Sequence, residues 1–180
     1  MKVAFFIIIC IFFLFTKQSC YSSTNEFIEL NEEKCSTLRR DDMLKLPLVY
    51  QEYLGFVKIC SLKKKDSDEK WRTSLISIWA HDYLLSKGDA SRWKDFPAPI
   101  LIDSKFKEVG KLPELYPMDW VTHLLVSYGK WHAGGPGEIR VDISNPAVTG
   151  DYYYAPLEWN MEKRKYEMKS QEPITGKRPK

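Results

Sequence analysis

The chain has 180 residues, a formal net charge of +3, 14% aromatic residues and four cysteines. That length suits one domain with a single core. The small net charge excludes a global electrostatic pull toward nucleic acid or an anionic membrane.

Residues 1 to 22 have the pattern of a secretory signal peptide: Met1-Lys2, an apolar run from Val3 to Phe15 interrupted only by Cys10, and a small-residue close at Cys20-Tyr21-Ser22. The run falls short of the roughly 20 residues that cross a bilayer, so no permanent span is expected after cleavage. Cleavage after Ser22 takes away Lys2 and Lys17, lowering the formal charge from +3 to +1, and takes away Cys10 and Cys20. The working domain is therefore expected outside the reducing cytosol, in the periplasm if the source is bacterial and otherwise secreted. In such a compartment the two remaining cysteines, Cys35 and Cys60, are expected to form a disulfide.

Residues 23 to 45 are polar, with Glu32-Glu33-Lys34 and Arg39-Arg40-Asp41-Asp42 around Cys35, and read as a lead-in segment tied to the domain by its cysteine. A single β-rich domain is expected over 46 to 170. Its first two runs, Tyr53 to Leu62 and Lys70 to Ala80, are apolar and β-branched and flank the polar stretch Lys63 to Glu69, as two strands across a charged turn would. The second run also supports a helix over 67 to 86, because Trp71, Leu75, Ile78, Trp79 and Tyr83 share one 3.6-period face. The strand is the favoured reading.

Pro97 and Pro99 then introduce Ile100 to Asp103, with Ser104-Lys105 as a turn and Phe106 to Leu112 as the return strand. Val121 to Trp131 is a long apolar run, and Ala133 to Gly137 reads as the turn that follows it. Glu138 to Ser144 alternates, with Ile139, Val141 and Ile143 on one face and Glu138, Arg140, Asp142 and Ser144 on the other. Tyr152 to Trp159 and Lys165 to Lys169 form a last hairpin across Asn160 to Arg164, and the lysines suit a protected sheet edge. Residues 171 to 180 are basic, lack aromatics and read as a flexible tail. Short strands joined by Gly and Pro turns predict a mostly β fold: an antiparallel β-sandwich or a sheet-rich α+β domain.

No catalytic residue is assigned. The three histidines, His81, His123 and His132, belong to no metal-binding motif, so neither a metal nor another cofactor is expected. Cys35 and Cys60 lie in no catalytic-cysteine context, and Gly134-Gly135-Pro136-Gly137 lacks the residues of a phosphate loop. What the chain has in excess is Tyr and Trp, which anchor partner surfaces because they bury large area at little entropic cost. The candidate binding residues are Tyr116, Trp120, Trp131, His132 and Tyr153. In a strand Tyr153 faces away from Tyr152 and Tyr154, so at least one of these tyrosines leaves the core.

The expected function is that of an exported, non-enzymatic protein-binding domain. It would act as an inhibitor, an immunity-type protein or an assembly factor in the periplasm or cell envelope, on an envelope protein or a secreted enzyme or toxin. The alternatives are a small envelope-acting hydrolase, using a histidine and a carboxylate from His81, Asp82, Asp119, His123 and His132, or a glycan-binding module with exposed aromatics along a groove.

Overall fold

The computed structural model describes residues 26–64, 73–78, 83, 85, 86, 96–113, 124–132, 135–144 and 150–179. The chain forms β1 (Ile28–Glu29), β2 (Cys35–Thr37), two one-turn helices α1 (Arg40–Met43) and α2 (Leu48–Gln51), then β3 (Val57–Leu62) and β4 (Thr73–Ile78). It continues through β5 (Ile100–Ile102), β6 (Glu108–Lys111), β7 (Leu124–His132), β8 (Gly135–Ile143), β9 (Tyr152–Tyr153), β10 (Leu157–Asn160), β11 (Lys165–Met168) and β12 (Ile174–Thr175). The protein is mostly β, as its strand pattern predicts.

The strands form two antiparallel sheets. A five-stranded meander runs β2-β3-β4-β5-β6. The second sheet has seven strands in the order β1-β7-β8-β10-β11, with β9 beside β8 and β12 beside β9. The long edge of β8 is thus shared: β10 pairs with its first half at Ile139 and Glu138, and β9 with its second half at Asp142 and Ile143.

Side-chain alternation turns these sheets into layers. In the meander Cys60, Leu62, Leu75 and Leu101 point one way, into a core shared with Val126, Tyr128, Ile139, Val141, Leu157 and Tyr166 of the seven-stranded sheet. Their neighbours Val57, Ile76, Ile78, Ile100 and Ile102 point the other way, against Leu38, Met43, Leu46, Tyr50 and Tyr53 of the helical segment. The meander is therefore a middle layer buried on both faces. That explains why β5 reads Ile-Leu-Ile without polar alternation. Tyr50 locks the helical layer down, its hydroxyl donating to the Ala98 carbonyl at 2.5 Å while burial pushes its pKa up.

Cys35 and Cys60 sit directly opposite each other in β2 and β3 and are joined, as expected from the cysteine count. The strand reading of the second run also holds: β4 spans Thr73–Ile78 and pairs with β3 over its whole length.

Three boundaries differ from those read in the sequence. The lead-in of 23 to 45 is part of the domain from Glu26 on: Leu30 and Leu38 are buried, and β2 is a strand of the meander. Polar composition hid this because among the described residues of 26–45 only Leu30, Leu38 and Met43 are buried. Pairing of β7 with β8 extends further than expected, to His132↔Gly135, and makes Gly135, Pro136 and Gly137 strand residues. Finally, the segment expected as a flexible tail is docked, with Ile174 and Thr175 paired to Tyr153 and Tyr152.

Candidate functional site

The outer face of the seven-stranded sheet combines charge, a groove and backbone irregularity. The polar face predicted for Glu138, Arg140, Asp142 and Ser144 is this face. Glu138 is nonetheless only 3% exposed. The reason lies opposite it, at Gly129. A Cβ on Gly129 would lie 2.5 Å from the Glu26 carbonyl oxygen and 3.1 Å from the Phe27 ring, so the bare glycine lets the chain before β1 cross the sheet there. Phe27 then covers Arg140, whose guanidinium carbon stands 3.5 Å from the ring centroid. Arg140 Nε donates to Glu138 at 2.6 Å, and Lys130 completes the ion pair from the other side.

Burial alone would push the Glu138 carboxyl up; the hydrogen bonds from Lys130 and Arg140 outweigh it and hold the group below the ordinary carboxylate range. A carboxyl depressed on folding contributes stability that is present above its unfolded pKa and lost as pH falls through the lower folded value. Glu138→Gln is expected to destabilise the domain at neutral pH by about 2 kcal/mol, because two cations lose their buried partner. The same substitution should narrow the difference between urea midpoints at pH 7 and pH 3. An unchanged difference would show that Glu138 does not carry the acid sensitivity.

Lys130 reaches Glu138 through an unusual backbone. A regular β7 would turn Lys130 inward with Val126 and Tyr128, but its φ of 52° shifts the phase of the strand. The lysine emerges on the outer face. Trp131 turns inward, edge-to-face with Tyr128 at 5.7 Å, and packs on the main core. His132 stays exposed and its ring lies against Gly137, where there is no room for a Cβ.

At the other end of β8, Tyr153 faces outward beside Asp142. Arg178 covers it, with the guanidinium 4.7 Å from the ring centroid. Arg178 Nε donates to Asp142 Oδ1 at 2.8 Å, and Nη2 donates to the carbonyls of Tyr154 at 2.8 Å and Val141 at 3.2 Å. One carboxylate, two carbonyls and an aromatic face thus form a seat for a guanidinium. Residues 176 to 179 wall a groove of about 440 Å³ whose floor includes Leu125, Ser127, Arg140 and Asp142. Asp151 holds the wall in place, accepting from the Gly176 amide at 2.7 Å, from Ser144 at 3.0 Å and pairing with Lys177.

The predicted binding residues therefore do not form one patch among the described residues. Trp131 is half-buried against the core, and His132 and Tyr153 are offset by about 23 Å along β8, seven strand residues. Tyr116 and Trp120 lie outside the described residues, as do His81, Asp82, Asp119 and His123. Among the described residues no three His, Cys, Asp or Glu side chains stand together as metal ligands.

A second surface was not singled out by sequence reasoning. On the helical layer Leu44 is 71% exposed, Leu48 79%, Val49 48% and Leu54 44%. The available signal was Met43 to Tyr50, which has more apolar residues than a single packed face can bury. Met43, Leu46 and Tyr50 take the inward positions and leave the others outside.

No protein-family profile, curated protein or solved structure matches the chain.

Proposed function

We propose that this chain is an exported, disulfide-tied domain that acts by binding another protein rather than by catalysis. The observation that carries the reading is the cluster of Leu44, Leu48, Val49 and Leu54, four large apolar side chains turned to solvent within one short segment. Exposed leucines scattered singly are ordinary, whereas several within a dozen residues mark a candidate interaction surface. The surface is held rigid by the residues beneath it, Met43 and Tyr50, so little ordering cost opposes binding.

Export is supported by the apolar start of the sequence and by the Cys35–Cys60 bridge, which persists in oxidising compartments. No helix of the described residues is long and apolar enough to cross a membrane. Within this reading the role is that of an inhibitor, immunity-type protein or assembly factor, acting on an envelope protein or a secreted enzyme.

The test is a paired capture from an extracytoplasmic fraction, using the wild type and a Leu44→Ser/Leu48→Ser/Val49→Ser variant. Exposed substitutions of this kind change stability by about 0.5 kcal/mol each or less, so the variant should remain folded. A protein retained stoichiometrically by the wild type and lost by the variant is the expected result. Retention by both would remove the apolar cluster from the reading. Wild-type self-association that the variant abolishes would assign the cluster to a second copy of the chain and overturn binding to a different protein.

A further inference from the structure

We infer that the outer edge of β9, with its guanidinium seat, is a docking site for an arginine-bearing extended segment of a protein partner, and that residues 171 to 179 occupy it in cis until displaced. This rests on the protein-binding reading above but uses the opposite face of the molecule from the apolar cluster.

The cis segment has the contacts of a bound peptide. It adds a strand to a sheet edge through main-chain pairing at Ile174↔Tyr153 and Thr175↔Tyr152. One side chain, four residues after Ile174, enters a made-to-measure seat: Arg178 is held by Asp142, Val141 and Tyr154 and lies over Tyr153. Planar, multiply donated recognition of this kind distinguishes arginine from lysine. The rest of the segment is weakly invested. Residues 169 to 175 are exposed throughout, and Gly176, at φ 101°, is the bend that lets the chain leave the sheet and bring Arg178 back onto it.

A short link gives the cis segment an effective concentration in the millimolar range. An identical segment from a second copy makes no contact that the cis one lacks, so it has no means of winning. A foreign segment does. The groove beside the seat is lined by Leu125, Ser127 and Arg140, whose guanidinium lies against Phe27 and is tethered to Glu138 through Nε. A partner strand that seats an arginine and places an acceptor, such as a carboxylate, against Arg140 gains contacts the cis segment does not make.

The test uses the full chain with Arg178→Ala, titrated with a labelled peptide of the sequence Lys169 to Lys180. The peptide should bind the variant saturably and at least tenfold more tightly than it binds the wild type, where the cis segment competes. The same peptide with alanine in place of its arginine should bind the variant at least tenfold more weakly. Equal binding to both proteins, or indifference to the arginine, overturns the inference. Should the variant fail to fold, hydrogen exchange on the wild type decides: amides of 171 to 179 are expected to exchange at least a hundredfold faster than those of β10 and β11, and equal protection rules out a displaceable segment. Wild-type dimers that disappear in Arg178→Ala would hand the seat to a second copy and also overturn the inference. The Leu44/Leu48/Val49 variant should bind no differently from the wild type here, so this result stands apart from the outcome at the apolar cluster.

Discussion

Replacing both Cys35 and Cys60 by alanine is expected to lower the stability of the domain by roughly 3.5 kcal/mol, the chain-entropy value for a closed loop of 25 residues. For a domain of this size that is a fall of about 10 °C in Tm. The loop matters because of what it ties down. β2 is a three-residue strand at the edge of the meander, too short to hold itself there, and Leu38 immediately after it begins the helical layer. Releasing the bridge frees the start of that layer as well as the edge strand. Urea melts of the double variant, and of the wild type with and without reductant, measure the effect. A loss below about 1 kcal/mol would mean that the pairing of β2 and the packing of Leu30 and Leu38 close the loop without the bond.

Gly110→Val is expected to cost about 3 kcal/mol, at the upper end of what overpacking a core does. Gly110 lies in β6, where the meander meets β11 of the other sheet. A Cβ there would stand 2.9 Å from the Tyr166 Cβ and 3.1 Å from Leu101 Cδ1. Tyr166 cannot yield. Its buried hydroxyl donates to the Pro136 carbonyl at 2.6 Å and pairs with Thr73 at 3.2 Å, its ring packs edge-to-face on Trp159, and burial pushes its pKa up to about 12. The two sheets would have to part along this edge. Gly110→Ala, lacking the two methyls, should fall nearer 1 kcal/mol. Equal, small losses for both would show that the sheets already have slack here.

Much of this architecture is legible in the residues themselves. Period-2 alternation places Ile139, Val141 and Ile143 inward, the polar stretch from Lys63 marks the β3–β4 hairpin, and Pro97 and Pro99 before β5 with Ser104-Lys105 after it mark the β5–β6 hairpin. These signals are local, because a strand that buries one face must write that face into its own sequence. The candidate sites are far less legible. Glu138 looks like any exposed member of a polar face until the segment before β1 crosses Gly129 and roofs it with Phe27. Trp131 looks exposed until the left-handed backbone at Lys130 reverses the strand's phase. Arg178 looks like one more cation in a basic tail until Asp142, Val141 and Tyr154 meet around it.

By itself, then, the sequence determines the β character and the inward face of most strands, since each is set by neighbours a few residues apart, while the joined cysteine pair follows from the cysteine count. Only the tertiary structure decides that the meander is a middle layer buried on both sides, that Gly110 and Gly129 are points of close approach, and that residues 171 to 179 return to the sheet. Those outcomes depend on contacts between residues roughly 20 to 100 positions apart, from Ile174 against Tyr153 to Gly129 against Glu26, and a single chain carries no local mark of the partner that a distant segment will find.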